Sequence, residues 1–207
     1  MNYLGHLYLS LPDPSFRLGN LMADGLPAKE AALYPEPMQA GYRFHHWIDD
    51  YTDRHPAFRQ SKNLLAESQG HYASVVADVL YDHFLARNWA EYSTESLESF
   101  SQTFYNQYIG FKMPLPRRFT HMMHYMIRYR WLESYAHREG LERALYGLSR
   151  RTSHQNRMNE AMIAIEIHYS KLEIDFRMMM DDIRRHAADW LSQQVPPEET
   201  TDENLSP

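Results

Sequence analysis

The sequence predicts an all-α fold, a single domain built as a bundle of many helices, on three observations. Apolar residues recur at spacings of three and four along most of the chain, as they do on one face of an amphipathic helix. No segment of useful length alternates between apolar and polar residues in the manner of a β-strand. The 207 residues, 43% of them hydrophobic, are enough to bury one sizeable core.

The first third of the chain is predicted to hold three helical segments separated by prolines. A helical stripe runs through residues 1–11, with Leu4 and Leu7 among its members. Residues 16–26 form a short helix or turn, and a central helix covers residues 38–54. Because proline cannot continue a helix, the prolines between these segments mark their limits.

The middle of the chain is predicted to form three further helices. A short helix covers residues 56–70, and a strongly periodic segment covers residues 71–92. Ser93 or Thr94 then caps a helix that continues to residue 108, because a hydroxyl side chain can accept a hydrogen bond from the first free backbone amides.

The last third is predicted to contain a helix over residues 117–136, a shorter one over 140–151 and the longest one over 153–194. Residues 195–207 are polar, acidic and rich in small side chains, so this tail is expected to be disordered. The domain organisation predicted is therefore one helical domain, residues 1–194, followed by the tail.

Composition excludes several classes of function. The chain has no cysteine, which excludes disulfides, thiolate metal sites and cysteine nucleophiles and is compatible with a reducing compartment. It has no basic secretory leader and no run near the roughly 18 apolar residues of a membrane span, so we expect a cytoplasmic protein without a membrane partner. The net charge of −6 argues against a nucleic-acid binder.

Positive charge is concentrated in one region. Residues 117–157 hold nine arginines and three glutamates, a local charge of +6 on an otherwise acidic chain. This distribution predicts one anionic partner that docks at one place. Arg150 and Arg151, adjacent in this region, are the candidates for holding a phosphate or an acidic surface.

The central helix carries the pattern most suggestive of chemistry. His45, Asp49 and Asp53 follow one another at intervals of four, so all three lie on one helix face. Imidazole and carboxylate at this spacing suit a divalent metal. The alternative is an exposed polar face with ordinary i,i+4 hydrogen bonds.

Two acids fall inside an apolar stripe. Asp78 and Asp82 lie among the apolar residues of segment 71–92, and a buried carboxylate costs several kcal/mol unless it is paired or bound to metal. His83 is adjacent to Asp82. The structural alternative is that an arginine from another helix pairs with the acid.

Histidine and aspartate recur on at least four such segments. His6 alone would be read as a core histidine, and Asp24 alone as a cap or turn residue. Brought together, the recurring residues would form a mixed nitrogen–oxygen site for Mn²⁺, Mg²⁺ or Fe²⁺, which lowers the pKa of bound water for attack on phosphorus. The six predicted ligands are His6, Asp24, His45, Asp49, Asp82 and His83. No glycine-rich phosphate loop or nucleophile elbow competes with this interpretation.

Several motifs together resemble those of the acyl carrier protein phosphodiesterases, over about residues 1–190. They are the opening Met-Asn-Tyr-Leu-Gly-His-Leu, Gly19-Asn20-Leu21-Met22-Ala23-Asp24, His45-x-x-x-Asp49-x-x-x-Asp53, Asp78-Val-Leu-Tyr-Asp82-His83-Phe-Leu and Ser149-Arg150-Arg151. The resemblance implies a helical, Mn²⁺-dependent relative of the HD-domain phosphohydrolases, with a bundle of that type. It also implies cleavage of the phosphodiester that links 4′-phosphopantetheine to a serine of holo-acyl carrier protein, a reaction of fatty acid biosynthesis.

On this basis residues 1–194 are the catalytic domain, and acyl carrier protein is the partner. The predicted catalytic residues are Asp24, Asp49, Asp82 and His83, with Asp53 and Asp78 as supporting carboxylates. Which of them is a ligand and which is the base stays open, as do the number of metal ions and the oligomeric state. Two alternatives are an HD-type nucleotide phosphohydrolase and a non-enzymatic helical binding module.

Overall fold

The computed structural model describes residues 1–194, which contain helices and no β-strand. The α-helices are α1 (Tyr3–Leu9), α2 (Pro14–Met22), α3 (Ala28–Ala31), α4 (Glu36–Arg54), α5 (Pro56–Gln69), α6 (Ala73–Arg87), α7 (Leu97–Gly110), α8 (Arg117–Arg128), α9 (Trp131–Ser134), α10 (Arg138–Arg151) and α11 (Ala161–Ser192). The prediction of a single all-α domain is confirmed. The predicted tail, 195–207, lies outside the described residues, and no described helix is long and apolar enough to cross a membrane.

Local sequence determines where several helices begin. Asp13 accepts a hydrogen bond from the Phe16 amide at 2.7 Å, and Pro14 occupies the first position of α2. The N-terminus of α7 differs from the prediction, because Ser96 is its cap rather than Ser93 or Thr94. The physical reason is that residues 93–95 are held in a turn, since the Trp89 indole donates to the Glu95 carbonyl at 2.9 Å.

Two predicted helices have different limits in the structure. The segment 117–136 is broken at Arg130, whose left-handed backbone (φ 47°) separates α8 from α9. The longest helix begins at Ala161 and not at residue 153. Asn156 explains the delay, because its side chain donates to the Ser149 carbonyl and accepts from the Met158 amide, so it satisfies backbone groups that a helix would otherwise pair.

Helix α6 lies at the centre of the domain and is buried on nearly all sides. Tyr81 and Phe84 are fully buried, and both pack against Phe176 of α11. Helices α1, α5, α10 and α11 contact α6. A helix that is apolar all round is typical of a core element, so its apolar pattern alone cannot indicate which residues face which neighbour.

Two glycines allow α2 and α4 to pack in close contact. A Cβ atom on Gly19 would lie 2.1 Å from the Met38 carbonyl oxygen, and one on Gly41 would lie 2.0 Å from the Phe16 carbonyl oxygen. Any side chain at either position would therefore force the helices apart. This close approach brings Asn20 of α2 against His45 of α4, which is the arrangement on which the candidate site depends.

Candidate metal centre

Three potential metal ligands meet between α1 and α4. The His6 Nε2 atom lies 3.1 Å from Asp49 Oδ1, and the His45 Nε2 atom lies 3.1 Å from Asp49 Oδ2. The two imidazole rings stack with centroids 4.2 Å apart. One ligand atom from each residue lies within 4.8 Å of the others, so the group could hold a metal ion.

Asn20, fully buried on α2, contacts the same nitrogen of both imidazole rings. Its Oδ1 atom lies 3.0 Å from His6 Nδ1 and 3.1 Å from His45 Nδ1. A carbonyl oxygen only accepts hydrogen bonds, so Asn20 favours a proton on both Nδ1 atoms, whereas the Met1 carbonyl, 3.0 Å from His6 Nε2, competes for the proton of that ring. With both Nδ1 atoms protonated, the Nε2 lone pairs of the neutral rings face Asp49.

The orientation of the Asn20 amide is itself fixed by buried partners. Its Nδ2 group donates to Ser10 Oγ at 2.8 Å and to the His6 carbonyl at 3.2 Å. Ser10 in turn donates to the same His6 carbonyl at 2.8 Å. With the amide nitrogen committed to these acceptors, the amide oxygen must point at the imidazoles.

The electrostatics of the group favour a cation. Burial, and then the neighbouring His45 ring, lower the pKa of His6 to about 4. Burial alone would raise the pKa of Asp49, but its contacts with His45 and His6 outweigh this and hold the pKa well below its usual range. At neutral pH, therefore, the unprotonated His6 ring can offer a nitrogen lone pair, and the ionised Asp49 a carboxylate oxygen, to a cation placed between them. The donor set fits a divalent metal.

A cavity of about 310 Å³ opens onto this group and collects further carboxylates. Asp24, Asp53 and Asp78 all line it. The Asp78 carboxylate pairs with the Met1 amine at 2.8 Å, whereas Asp24 and Asp53 are exposed. Thr52, also in the lining, is 1% exposed, and its hydroxyl oxygen has no hydrogen-bond partner among the described residues.

The other two predicted ligands lie elsewhere. Asp82 accepts hydrogen bonds from the Leu4 amide at 2.7 Å and the Gly5 amide at 2.9 Å, and so holds the start of the helix that carries His6. Burial raises the pKa of Asp82 to about 7, against the effect of these two amides. The alternative to metal binding predicted an arginine partner for Asp82. Among residues 1–194 no arginine pairs with it, and backbone amides of α1 and its start take that place.

His83 faces a third direction. Its Nδ1 atom lies 2.7 Å from the Tyr135 carbonyl and its Nε2 atom lies 2.9 Å from the Tyr169 hydroxyl. Both ring nitrogens thus have protein partners. His83 lines neither the cavity described above nor a larger one, of about 550 Å³, beside it. Its adjacency to Asp82 in sequence does not bring the two side chains to the same place.

Arg150 and Arg151 lie in different surroundings, although they are adjacent in sequence. Arg151 lines the larger cavity next to the metal centre, whereas Arg150 lines neither cavity. Within the described part of the chain neither arginine has an ion pair. Two glutamates near them in sequence, Glu142 and Glu160, pair with Arg138 and Arg157 instead.

Comparisons with known proteins agree with the motif resemblance. The profile of the family described as acyl carrier protein phosphodiesterase matches residues 1–183. The chain belongs to this family. Three relatives carry the name acyl carrier protein phosphodiesterase, and their similarity extends over most of both chains. They come from Serratia proteamaculans (32% identical; 91% of this chain and 98% of the relative), Enterobacter sp. strain 638 (31%; 85% and 92%) and Yersinia pestis (31%; 90% and 97%).

Family membership confirms two predictions, the resemblance itself and the conclusion that the protein is an enzyme. No solved structure gives a significant match, and the relation to the HD-domain phosphohydrolases stays a prediction.

Asn20 was not predicted to belong to the site, although it lies in one of the family motifs. A usable signal was present, since an uncharged polar side chain lies between Gly19 and Leu21 in an apolar helix. A buried amide must be hydrogen-bonded. What the sequence did not contain was the identity of its partners, because His6 and His45 reach Asn20 only through helix packing.

Proposed function

We propose that the protein hydrolyses the phosphodiester between 4′-phosphopantetheine and the serine of holo-acyl carrier protein. The match over residues 1–183 and the names of the relatives support this substrate. The observation that carries the chemistry is the His6–His45–Asp49 group, whose two rings both contact the Asn20 amide oxygen through Nδ1. A donor set of two nitrogens and a carboxylate at the floor of an acid-lined cavity suits hydrolysis of a phosphate ester.

In this proposal His6, His45 and Asp49 hold a divalent metal, with Mn²⁺ as the first candidate and Mg²⁺ or Fe²⁺ as alternatives. Nitrogen and carboxylate ligands without thiolates are compatible with all three ions. When bound, such an ion lowers the pKa of water and withdraws charge from the phosphoryl group. The proposed location remains the cytoplasm.

The other carboxylates of the cavity differ in whether they have an ion-pair partner. Asp24 and Asp53 are exposed on the cavity wall and carry no ion pair among residues 1–194, so we propose them as acceptors of the proton of the attacking water. Asp78 is already paired with the Met1 amine, so we propose a supporting role for it. The water oxygen bonds to phosphorus, the bond from phosphorus to the serine oxygen breaks, and that oxygen takes up a proton.

We assign Asp82 and His83 roles in positioning. The contacts of Asp82 with the Leu4 and Gly5 amides orient α1, and with it His6. The contacts of His83 hold α6 against the segment that contains Tyr135. Neither side chain has an atom directed at the cavity that would receive the phosphate.

Docking of the carrier protein is proposed at the arginine-rich region, residues 117–157. An acidic carrier cannot be attracted by a chain of net charge −6 as a whole, so attraction must be local. Arg118 and Arg151 lie beside the metal centre, and Arg150 is exposed nearby on the same helix as Arg151.

The test is incubation of holo-acyl carrier protein with the purified protein and Mn²⁺, followed by mass spectrometry of the carrier. Loss of the phosphopantetheine mass, with free 4′-phosphopantetheine in solution, is the expected result. His45→Ala should abolish it, and Arg185→Ala, at an exposed position that lines neither cavity, serves as the control. Hydrolysis of nucleotides with no effect on the carrier would favour the nucleotide phosphohydrolase, and Mn²⁺ binding without any hydrolysis would favour a binding module.

A further inference from the structure

A second and larger cavity, of about 550 Å³, adjoins the metal centre. Its walls come mainly from apolar and aromatic side chains of the segment after α2 and of α8, α9 and α10. It shares four lining residues with the metal-centre cavity, namely Tyr3, Leu21, Asp24 and Leu148. Because these residues form a common wall, a ligand in the larger cavity can reach the metal centre at their junction. The size falls within the roughly 300–1,000 Å³ of pockets that receive small organic ligands.

Two glycines line this cavity without a backbone reason to be glycine. Gly147 lies inside α10, where its φ is not positive, and a Cβ there would meet only the tip of Arg151, at 3.9 Å. A Cβ on Gly25 would meet only the Arg118 side chain, at 3.6 Å. Glycine weakens a helix interior by about 1 kcal/mol relative to alanine, so an unforced glycine in α10 indicates a need for space.

Two guanidinium groups border the same cavity. Arg118 and Arg151 both line it, and neither forms an ion pair within the described part of the chain. Arg151 lies over the Trp131 ring at 5.8 Å. Burial and the Asp24 charge raise the pKa of Tyr3, while Arg151 and Arg118 oppose the shift, so all three charges act near the Tyr3 hydroxyl at the junction. Unpaired cations beside an apolar cavity suit a ligand with an anionic end and an apolar chain.

We propose that the larger cavity binds the pantetheine chain of the substrate, with the phosphate at the junction beside the metal centre. This inference rests on the proposed function. A volume of about 550 Å³ suits a single extended chain between apolar walls better than an α-helix of the carrier, which is about 10 Å or more in diameter. Arg118 and Arg151 hold the phosphate oxygens that face away from the metal centre.

The test fills the cavity from Gly147 and measures binding as well as turnover. Gly147→Leu places a branched side chain where only Arg151 is near, and it raises helix propensity, so the melting temperature should not fall. Binding of pantetheine and of 4′-phosphopantetheine, measured by calorimetry, should weaken by about tenfold or more, which corresponds to about 1.4 kcal/mol. KM for holo-acyl carrier protein should rise similarly, and hydrolysis of bis(p-nitrophenyl) phosphate, which has no pantetheine chain, should fall much less.

Matched variants separate the causes. Gly147→Ala should reduce the affinity for pantetheine less than Gly147→Leu, because a methyl group fits the space. If the glycine were needed for flexibility instead, both variants would lose affinity equally. Gly110→Leu is the control, since Gly110 lies at the end of α7, lines neither cavity and has no atom within 4 Å of its Cβ position. Wild-type affinity for pantetheine in Gly147→Leu would overturn the inference and leave the proposed hydrolysis intact. Failure of the wild-type protein to release 4′-phosphopantetheine would instead overturn the proposed function.

Discussion

Asn20 offers the sharpest test of how the metal centre is built. Its side chain makes four buried contacts, with the two imidazole Nδ1 atoms, the His6 carbonyl and Ser10. Asn20→Ala removes the amide oxygen that the Nδ1 atoms of both imidazoles contact, so either ring can rotate or change tautomer. Partners that orient metal ligands in this way contribute about ten- to hundredfold in metal affinity.

The magnitude for stability follows from the same contacts. Each imidazole N–H left without an acceptor in a buried site costs about 1–3 kcal/mol, and relaxation of the rings recovers part of it. We therefore expect a loss of about 2–4 kcal/mol in the free energy of unfolding of the metal-free protein. The affinity for Mn²⁺ should fall by about ten- to hundredfold, which corresponds to about 1.4–2.7 kcal/mol of binding free energy.

The assay is calorimetric titration of Mn²⁺ into the wild type and Asn20→Ala, with denaturant unfolding of the metal-free forms. Asn88→Ala is the matched control, because Asn88 makes two side-chain hydrogen bonds, to the Phe84 carbonyl and to Glu173, and lines neither cavity. It should reduce stability without changing Mn²⁺ affinity. If Asn20→Ala binds Mn²⁺ as tightly as the wild type, the orientation argument is refuted, and with it the preferred ligand assignment.

Three further predictions follow from the site. Chelation should abolish hydrolysis, and saturating Mn²⁺ should raise the melting temperature, because an ion held by His6, His45 and Asp49 binds the folded protein and not the unfolded chain; an unchanged melting temperature would contradict metal binding there. For Asp82, a folded-state pKa of about 7 above the ordinary 3.8 means that its contribution to stability is present at low pH and lost as the pH rises through 7. The difference in unfolding free energy between the metal-free wild type and Asp82→Asn should therefore change in favour of the variant between about pH 4 and 7, and a constant difference would contradict the shift. Added salt should lower kcat/KM for holo-acyl carrier protein steeply and kcat little. Joint replacement of Arg150 and Arg151 by Glu should reduce activity on the carrier protein far more than activity on a small phosphodiester, and equal losses on both substrates would rule out docking at these arginines.

The sequence alone determined what depends on neighbours along the chain. Helical periods and prolines at helix starts located most helices, because both act within one or two turns. His45 and Asp49 were predicted to lie on one face, and they do, since an i,i+4 pair inside one helix is placed by helix geometry alone. The family, too, was visible in motifs whose order and spacing the chain preserves.

Packing between helices decided the rest. His6 joins His45 because α1 is held by the Asp82 carboxylate, and Asn20 reaches both because Gly19 and Gly41 let α2 and α4 approach. Asp82 and His83 are neighbours in sequence but serve different helices. In a helix buried on all sides every direction is apolar, so periodicity cannot assign a polar residue to a partner. Only the positions of the surrounding helices, fixed by close packing of the core, determine which buried side chains meet.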